Sequence, residues 1–123
     1  MEFDKSLLKQ RGLKRFWLAT QYSWKGAKAA FKEEPAFQYE VYAALVLIPL
    51  ALWLAPSLSG AAVLIAAVLF VMLVELVNSA IEAIVDRIGS DHHELSGRAK
   101  DLGSAAVFLA ICIAVLVWLA VLI

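Results

Sequence analysis

The sequence predicts an all-α integral membrane protein, with an N-terminal amphipathic surface helix followed by three transmembrane helices. Three observations predict it. The 123 residues are 63% hydrophobic and 18% charged, with a mean hydropathy of +0.79, against roughly 45–50% apolar and about 25% charged in an average soluble domain. A soluble chain of 13.4 kDa could not bury that excess in its own core. No charged side chain lies between Glu40 and Glu75, and none follows Asp101. Residues 1–32, by contrast, carry eight Lys or Arg against only Glu2 and Asp4.

The same figures exclude other classes. Eleven basic residues balance eleven acidic ones, so no net charge draws the chain to nucleic acid, and the apolar content rules out disorder. Cys112 is the sole cysteine, which leaves no intrachain disulfide framework.

The surface helix is expected within residues 1–35. Leu13, Phe16, Trp17, Thr20, Trp24, Ala27 and Phe31 recur at helical spacing, while Lys25, Lys28 and Lys32 line another face. A basic amphipathic helix of this kind lies in the plane of the interface with its apolar side in the lipid. It serves as an anchor and topology signal, and its lead into Lys32-Glu33-Glu34 also opens a ligand-facing role.

A bilayer core about 30 Å thick takes about 20 apolar residues as a helix. The first charge-free run holds two such segments, divided at the turn formers Pro56-Ser57-Leu58-Ser59-Gly60. The spans are therefore 37–55, 61–88 and 102–123, all within one membrane domain covering 1–123. Backbone in lipid must satisfy its own hydrogen bonds, and nothing here alternates like barrel strands. Pro49 is expected to kink the first span. Arg87, Arg98 and Lys100 flank the second connection while the 56–60 turn carries no charge. The positive-inside rule then puts the N-terminus and the 89–101 loop in the cytoplasm and the C-terminus outside. No cleavable leader is expected, because the first apolar run begins near Phe37 with no small-residue cleavage site before it.

The second span carries polar residues that lipid disfavours. Glu75, Asn78, Glu82 and Asp86 fall within an arc of about 80° on a helix, one stripe on one face. Ionisable groups at the centre of a span cost roughly 2.5–3.5 kcal/mol each on insertion scales. If Ala61 marks the outer boundary, Glu82 and Asp86 sit at headgroup level and Glu75 about 10 Å deeper. Such a stripe suits a reaction between a water-soluble reagent and a lipid headgroup: the upper carboxylate holds a divalent cation, and the deeper one takes a proton from a lipid hydroxyl. Adhesion between helices is the competing use of Asn, Ser and Glu in a span.

The loop from Gly89 to Asp101 adds Asp91, His92, His93, Arg98 and Lys100 on the same side, suited to polyphosphate. Adjacent histidines rarely ligate a metal together without further spaced partners, so a solvated loop or a nucleotide contact is the better reading. Neither G-x-x-x-x-G-K-[ST] nor G-x-G-x-x-G occurs, and the soluble-kinase signatures H-R-D and D-F-G are absent too. A nucleotide site must be built in another way.

The run Glu75-Leu-Val-Asn78-Ser-Ala-Ile-Glu82-Ala-Ile-Val-Asp86-Arg-Ile-Gly89-Ser, joined in order to His93-Glu-Leu-Ser-Gly97-Arg-Ala-Lys100-Asp101-Leu-Gly-Ser104, closely resembles the bacterial diacylglycerol kinase family. Tyr22-Ser-Trp24-Lys-Gly26 and Glu34-x-Ala-Phe37 are similar to the family's other landmarks, and the resemblance runs from about Arg15 onward. It implies a small membrane kinase that works as a homotrimer, with active sites shared between neighbouring chains. It implies transfer of the γ-phosphoryl of ATP, with Mg²⁺, to the hydroxyl of diacylglycerol, giving phosphatidic acid at the inner face of a bacterial cytoplasmic membrane.

Carried onto matching positions, the resemblance makes Glu75 the general base and Asn78 its active-site supporter. Glu34 and Glu82 become the metal ligands. Arg15, Tyr22, Glu34, Glu82, Asp91, His92, His93, Lys100 and Asp101 become nucleotide contacts. Arg15, Trp24, Ala36, Phe37, Gln38, Tyr39, Glu40, Glu75 and Ser104 lie along the lipid path. Undecaprenol kinases share the Glu-x-x-Asn-x-Ala-Ile-Glu core, and the Ser-Gly-Arg-Ala-Lys-Asp wording favours the diacylglycerol branch. A proton-coupled multidrug transporter using Glu75 would explain the buried carboxylate but not the Lys100-Asp101 loop. A non-catalytic scaffold held by Asn78 and Ser79 is the third class.

Overall fold

The computed structural model describes residues 12–89 and 91–123. Within them the chain forms four helices: α1, Leu13–Glu33; α2, Pro35–Leu54; α3, Leu58–Ile88; and α4, Glu94–Leu122. No strand occurs among the described residues. The part of the expected surface helix before Gly12, with Lys5, Lys9 and Arg11, lies outside the described residues, as does Ser90.

Each boundary has a local cause. Gly12 precedes α1 at φ 68° and ψ −144°, a conformation open to glycine and strained for other residues. Pro35 ends α1 and starts α2 at once. A residue before proline is driven out of the helical region, and Glu34 sits extended at φ −116° and ψ 104°, while proline is well tolerated at the first helical position. Gln38 ties the two helices together, its Nε2 donating to the Phe31 carbonyl at 2.6 Å. Phe31 and Tyr42 meet edge to face with centroids 6.0 Å apart. Helix α2 runs through Pro49 to Leu54, so this proline does not end it. Ser57 caps α3, its Oγ accepting from the Gly60 amide at 3.0 Å, which draws Leu58, Ser59 and Gly60 into the first turn instead of leaving them in the link.

Helix α4 starts eight residues before the expected span. Its first two turns take in residues 94–101, which hydropathy alone reads as loop. His93 caps it, Nδ1 accepting from the Leu95 amide at 3.0 Å. Glu94 in the first turn suits the helix dipole and pairs with Arg98 one turn on at 3.3 Å. Hydropathy marks apolar length, and these turns are helical while polar.

Helices α2, α3 and α4 are each long and apolar enough to cross a membrane. The 31 residues of α3 make about 46 Å of helix, which is longer than a hydrocarbon core of about 30 Å. The most extensive packing is α3 on α4, followed by α2 on α3. Contacts between Leu64 and Trp118 at one end and Asp86 and Lys100 at the other make α3 and α4 antiparallel. The buried positions of α3 are Ala61, Leu64, Ala67, Val68, Glu75, Asn78 and Val85; all but Ala67 follow the three-, four- and seven-residue spacings of a heptad seam. Gly103 and Ala110, one heptad apart, are the buried residues of α4. Large side chains such as Leu45, Trp53, Leu73, Phe108 and Leu116 are exposed, as lipid contact requires.

Candidate functional site

Two of the α3 seam positions are not apolar. Glu75 is 5% exposed and Asn78 is 7% exposed. The predicted stripe runs outward from them, Glu82 half-buried and Asp86 exposed, so burial falls steadily towards the end of α3 that leads to Gly89. The side chains form short hydrogen-bonded steps along the helix. Ser79 Oγ donates to Glu75 Oε1 at 3.4 Å, and Asn78 Nδ2 donates to Glu82 Oε1 at 3.4 Å. Lys100 on α4 closes the polar end with an ion pair to Asp86, Nζ to Oδ1 at 2.7 Å.

Glu34 joins this group from the α1–α2 junction. Its carboxyl is held above the ordinary carboxylate range of 4.5, first by burial and then by the negative charges of Glu82, Glu33 and Asp86. That crowding brings the two predicted metal ligands, from helices far apart in sequence, within electrostatic reach of each other. Among the described residues no group of three or more His, Cys, Asp or Glu is arranged to hold a metal ion.

On the other side of Glu75, Glu40 of α2 is half-buried and feels the Glu75 charge. Its Oε1 is buried with no hydrogen-bond partner among the described residues. It stands at a groove of about 540 Å³ between α2, α3 and α4, lined also by Leu47, Met72, Val115 and Trp118. The site therefore has a charged mouth at one end of α3 and an apolar groove leading from its buried end.

The remaining predicted residues fall into three sets. His92, His93 and Asp101 line a shallow concavity of about 370 Å³ with Glu94 and Arg98. His93 accepts through Nδ1 in capping α4, which leaves Nε2 as the donor nitrogen of the ring. Asp91 and Ser104 are exposed beside this end. Arg15 and Tyr22 lie back along α1, about 28 Å and 18 Å of helix from Glu34 at 1.5 Å per residue. A single chain does not bring them to the carboxylates. Trp24, Ala36 and Tyr39 are exposed and Phe37 is buried; Phe37 is packing in this chain, and Gln38 serves the α1–α2 corner.

Two participants were not among the expected site residues. Asp86 belongs to the stripe, but its pairing with Lys100 depends on how α4 crosses α3. Gly103 packs directly against Asn78. The small-xxx-small spacing of Ala99 and Gly103 was the signal in the sequence for a close helix approach there.

Comparison with known proteins places this arrangement among named relatives. The family described as prokaryotic diacylglycerol kinase matches residues 21–122. A diacylglycerol kinase of Escherichia coli is 53% identical over 107 residues, covering 87% of this chain and 88% of the relative. One from Haemophilus influenzae is 50% identical over 112 residues, with 91% and 95% covered. One from Pseudomonas aeruginosa is 48% identical over 113 residues, with 92% of each covered.

Proposed function

The chain belongs to the prokaryotic diacylglycerol kinase family, and on that premise we propose that it transfers the γ-phosphoryl of ATP to the hydroxyl of diacylglycerol at the inner surface of a bacterial cytoplasmic membrane. The observation that carries the mechanism is the graded stripe on α3, with Glu75 buried, Asn78 beside it and Glu82 half-buried towards the aqueous end. A lipid hydroxyl and a soluble nucleotide approach such a stripe from opposite directions.

Glu75 accepts the hydroxyl proton as the lipid oxygen bonds to the γ-phosphorus and the bond to the β–γ bridging oxygen breaks. Ser79 orients the Glu75 carboxylate through Oε1. The paired carboxylates of Glu34 and Glu82 fit Mg²⁺, which takes one or two carboxylates together with phosphate oxygens and water. Their mutual repulsion is what a bound divalent cation relieves. When bound, Mg²⁺ neutralises charge on the β- and γ-phosphates. Lys100 supplies a further positive charge from α4, and Asn78 fixes Glu82 through Nδ2. Asp91, His92, His93 and Asp101 receive the rest of the nucleotide, and the groove below Glu40 takes an acyl chain.

A homotrimer with shared active sites is part of this reading, supported by the separation of Arg15 and Tyr22 along α1 from the carboxylates of their own chain: α1 of a neighbouring chain would bring them to the nucleotide. The basic residues of α1 and the α3–α4 connection support a cytoplasmic N-terminus and a C-terminus on the outer side.

The test is phosphate transfer from labelled ATP by purified protein in lipid micelles, offering diacylglycerol and undecaprenol separately, with and without Mg²⁺. Mg²⁺-dependent label in phosphatidic acid is expected. Label only in the polyprenol moves the same site to the undecaprenol branch, and no transfer to either lipid overturns the kinase reading.

A further inference from the structure

At the α3–α4 crossing beside the site, the amide of Asn78 occupies the space where a side chain at position 103 would be. A Cβ built on Gly103 falls on Asn78 Oδ1 and comes within 3.2 Å of its Cγ. Gly103 is buried, and Asn78 Oδ1 is buried with no hydrogen-bond partner among the described residues. Glycine inside a helix is otherwise a poor choice beside alanine and calls for a packing reason. Gly26 and Gly97 are also helical, yet a Cβ on either meets nothing within 4 Å. A Cβ on Gly60, in the first turn of α3, would meet Ser57 Oγ, Pro56 Cδ and Val121 Cγ1 at 3.3–3.4 Å, which is tight but tolerable; among the described glycines, Gly103 is the one where a Cβ would overlap a neighbour outright.

We propose that Gly103 is a positioning residue for phosphoryl transfer. Its missing side chain lets α4 close over the Asn78 amide and aim Nδ2 along α3 at Glu82. The inference rests on the proposed function in one respect, the role of Glu82 as a cation ligand. The Nδ2 to Oε1 contact is 3.4 Å, the long limit of a hydrogen bond, so a small swing of the amide breaks it. A methyl group at position 103 forces that swing, because Oδ1 has the face of α4 in front of it. Glu82 then loses its orienting donor while keeping its own carboxylate.

The experiment is a double-mutant cycle on the full-length protein: wild type, Gly103→Ala, Asn78→Ala and the double variant. The readouts are KM for MgATP, KM for diacylglycerol, and the thermal midpoint of the metal- and nucleotide-free protein. Loss of a group that orients a metal ligand weakens metal-dependent binding by about tenfold or more. Gly103→Ala is expected to raise KM for MgATP by that factor and to change KM for diacylglycerol by less than about twofold. Asn78→Ala removes both the clash and the orienting bond, so adding Gly103→Ala to it changes neither KM. In the metal-free midpoints the alanine at 103 is destabilising with Asn78 present and neutral or stabilising without it.

Equal effects of Gly103→Ala in the two backgrounds, or an unchanged KM for MgATP in the single variant, overturn the proposal. Should Gly103→Ala alone not fold, the double variant decides. Its recovery upholds the contact, and its failure to fold overturns it. A wild type that phosphorylates no lipid would refute the kinase reading alone, since the metal-free midpoints still measure the coupling between Gly103 and Asn78.

Discussion

Replacing Glu75 with glutamine is the sharpest perturbation of the site, because it changes one proton acceptor and almost no volume. Glu75 is 5% exposed; its carboxylate accepts from Ser79 at 3.4 Å, with the Asn78 amide also within hydrogen-bonding reach. Glutamine keeps the Ser79 bond through its carbonyl oxygen. Exchanging a charged acceptor for a neutral one loses about 1 kcal/mol, and removing a carboxylate from a buried position acts in the opposite direction. The fold should therefore be unchanged within about 1 kcal/mol by either route. General-base catalysis contributes about 10²- to 10⁴-fold, which is about 2.7–5.5 kcal/mol of barrier. The assay is steady-state phosphorylation of diacylglycerol with MgATP varied, beside a thermal melt of the same preparation. The expected result is kcat down by about 10²- to 10⁴-fold, with KM for MgATP within about twofold and the melt unmoved, because the base meets the acceptor and not the nucleotide. A kcat within about tenfold of wild type, or a KM for MgATP that rises in step, refutes the assignment.

Glu82→Gln should show the opposite split: KM for MgATP rises about tenfold or more while KM for diacylglycerol stays put, read in the same assay. Glu34→Gln should make the metal-free protein more stable at neutral pH, since the folded state holds this carboxyl above 4.5 by burial and by Glu82, Glu33 and Asp86. A raised carboxyl favours folding when protonated, so the variant's advantage is present at neutral pH and shrinks as acidification protonates the wild-type group. A thermal midpoint that is lower in the variant at neutral pH contradicts this. Ala110→Leu inserts bulk at a residue 1% exposed on the α3–α4 seam and should cost about 1–3 kcal/mol, seen as a lower melting midpoint. A silent substitution there would mean that the seam is loosely packed.

The membrane fold was legible because its determinants are local. Charge-free length, turn formers and a polar stripe each belong to a continuous stretch of chain, and α2 and α3 fall within three residues of their expected limits. The start of α4 was not, because hydropathy is silent on a helix held by a histidine cap and an exposed Glu94–Arg98 pair. Within the site, Glu75, Asn78 and Glu82 were readable from spacing on one helix. Glu34 entered through resemblance, since nothing in Lys32-Glu33-Glu34-Pro35 says that the α1–α2 corner folds back towards α3. The Asp86–Lys100 pair and the Gly103 contact depend on helix crossing, a property of two elements that neither one states.

The heptad seam of α3 has a consequence for the evolution and engineering of this chain. Glu75 and Asn78 occupy positions where a heptad seam ordinarily takes leucine or isoleucine, so on the proposed mechanism tolerance to heat or detergent and turnover draw on the same two residues. Selection for robustness alone, as in a screen for variants that survive extraction from the bilayer, would favour apolar replacements there and collect inert proteins. Hardening this scaffold without losing the enzyme means leaving the middle of the seam alone and working on its first half, from Ala61 to Val68, and on the lipid-facing surface.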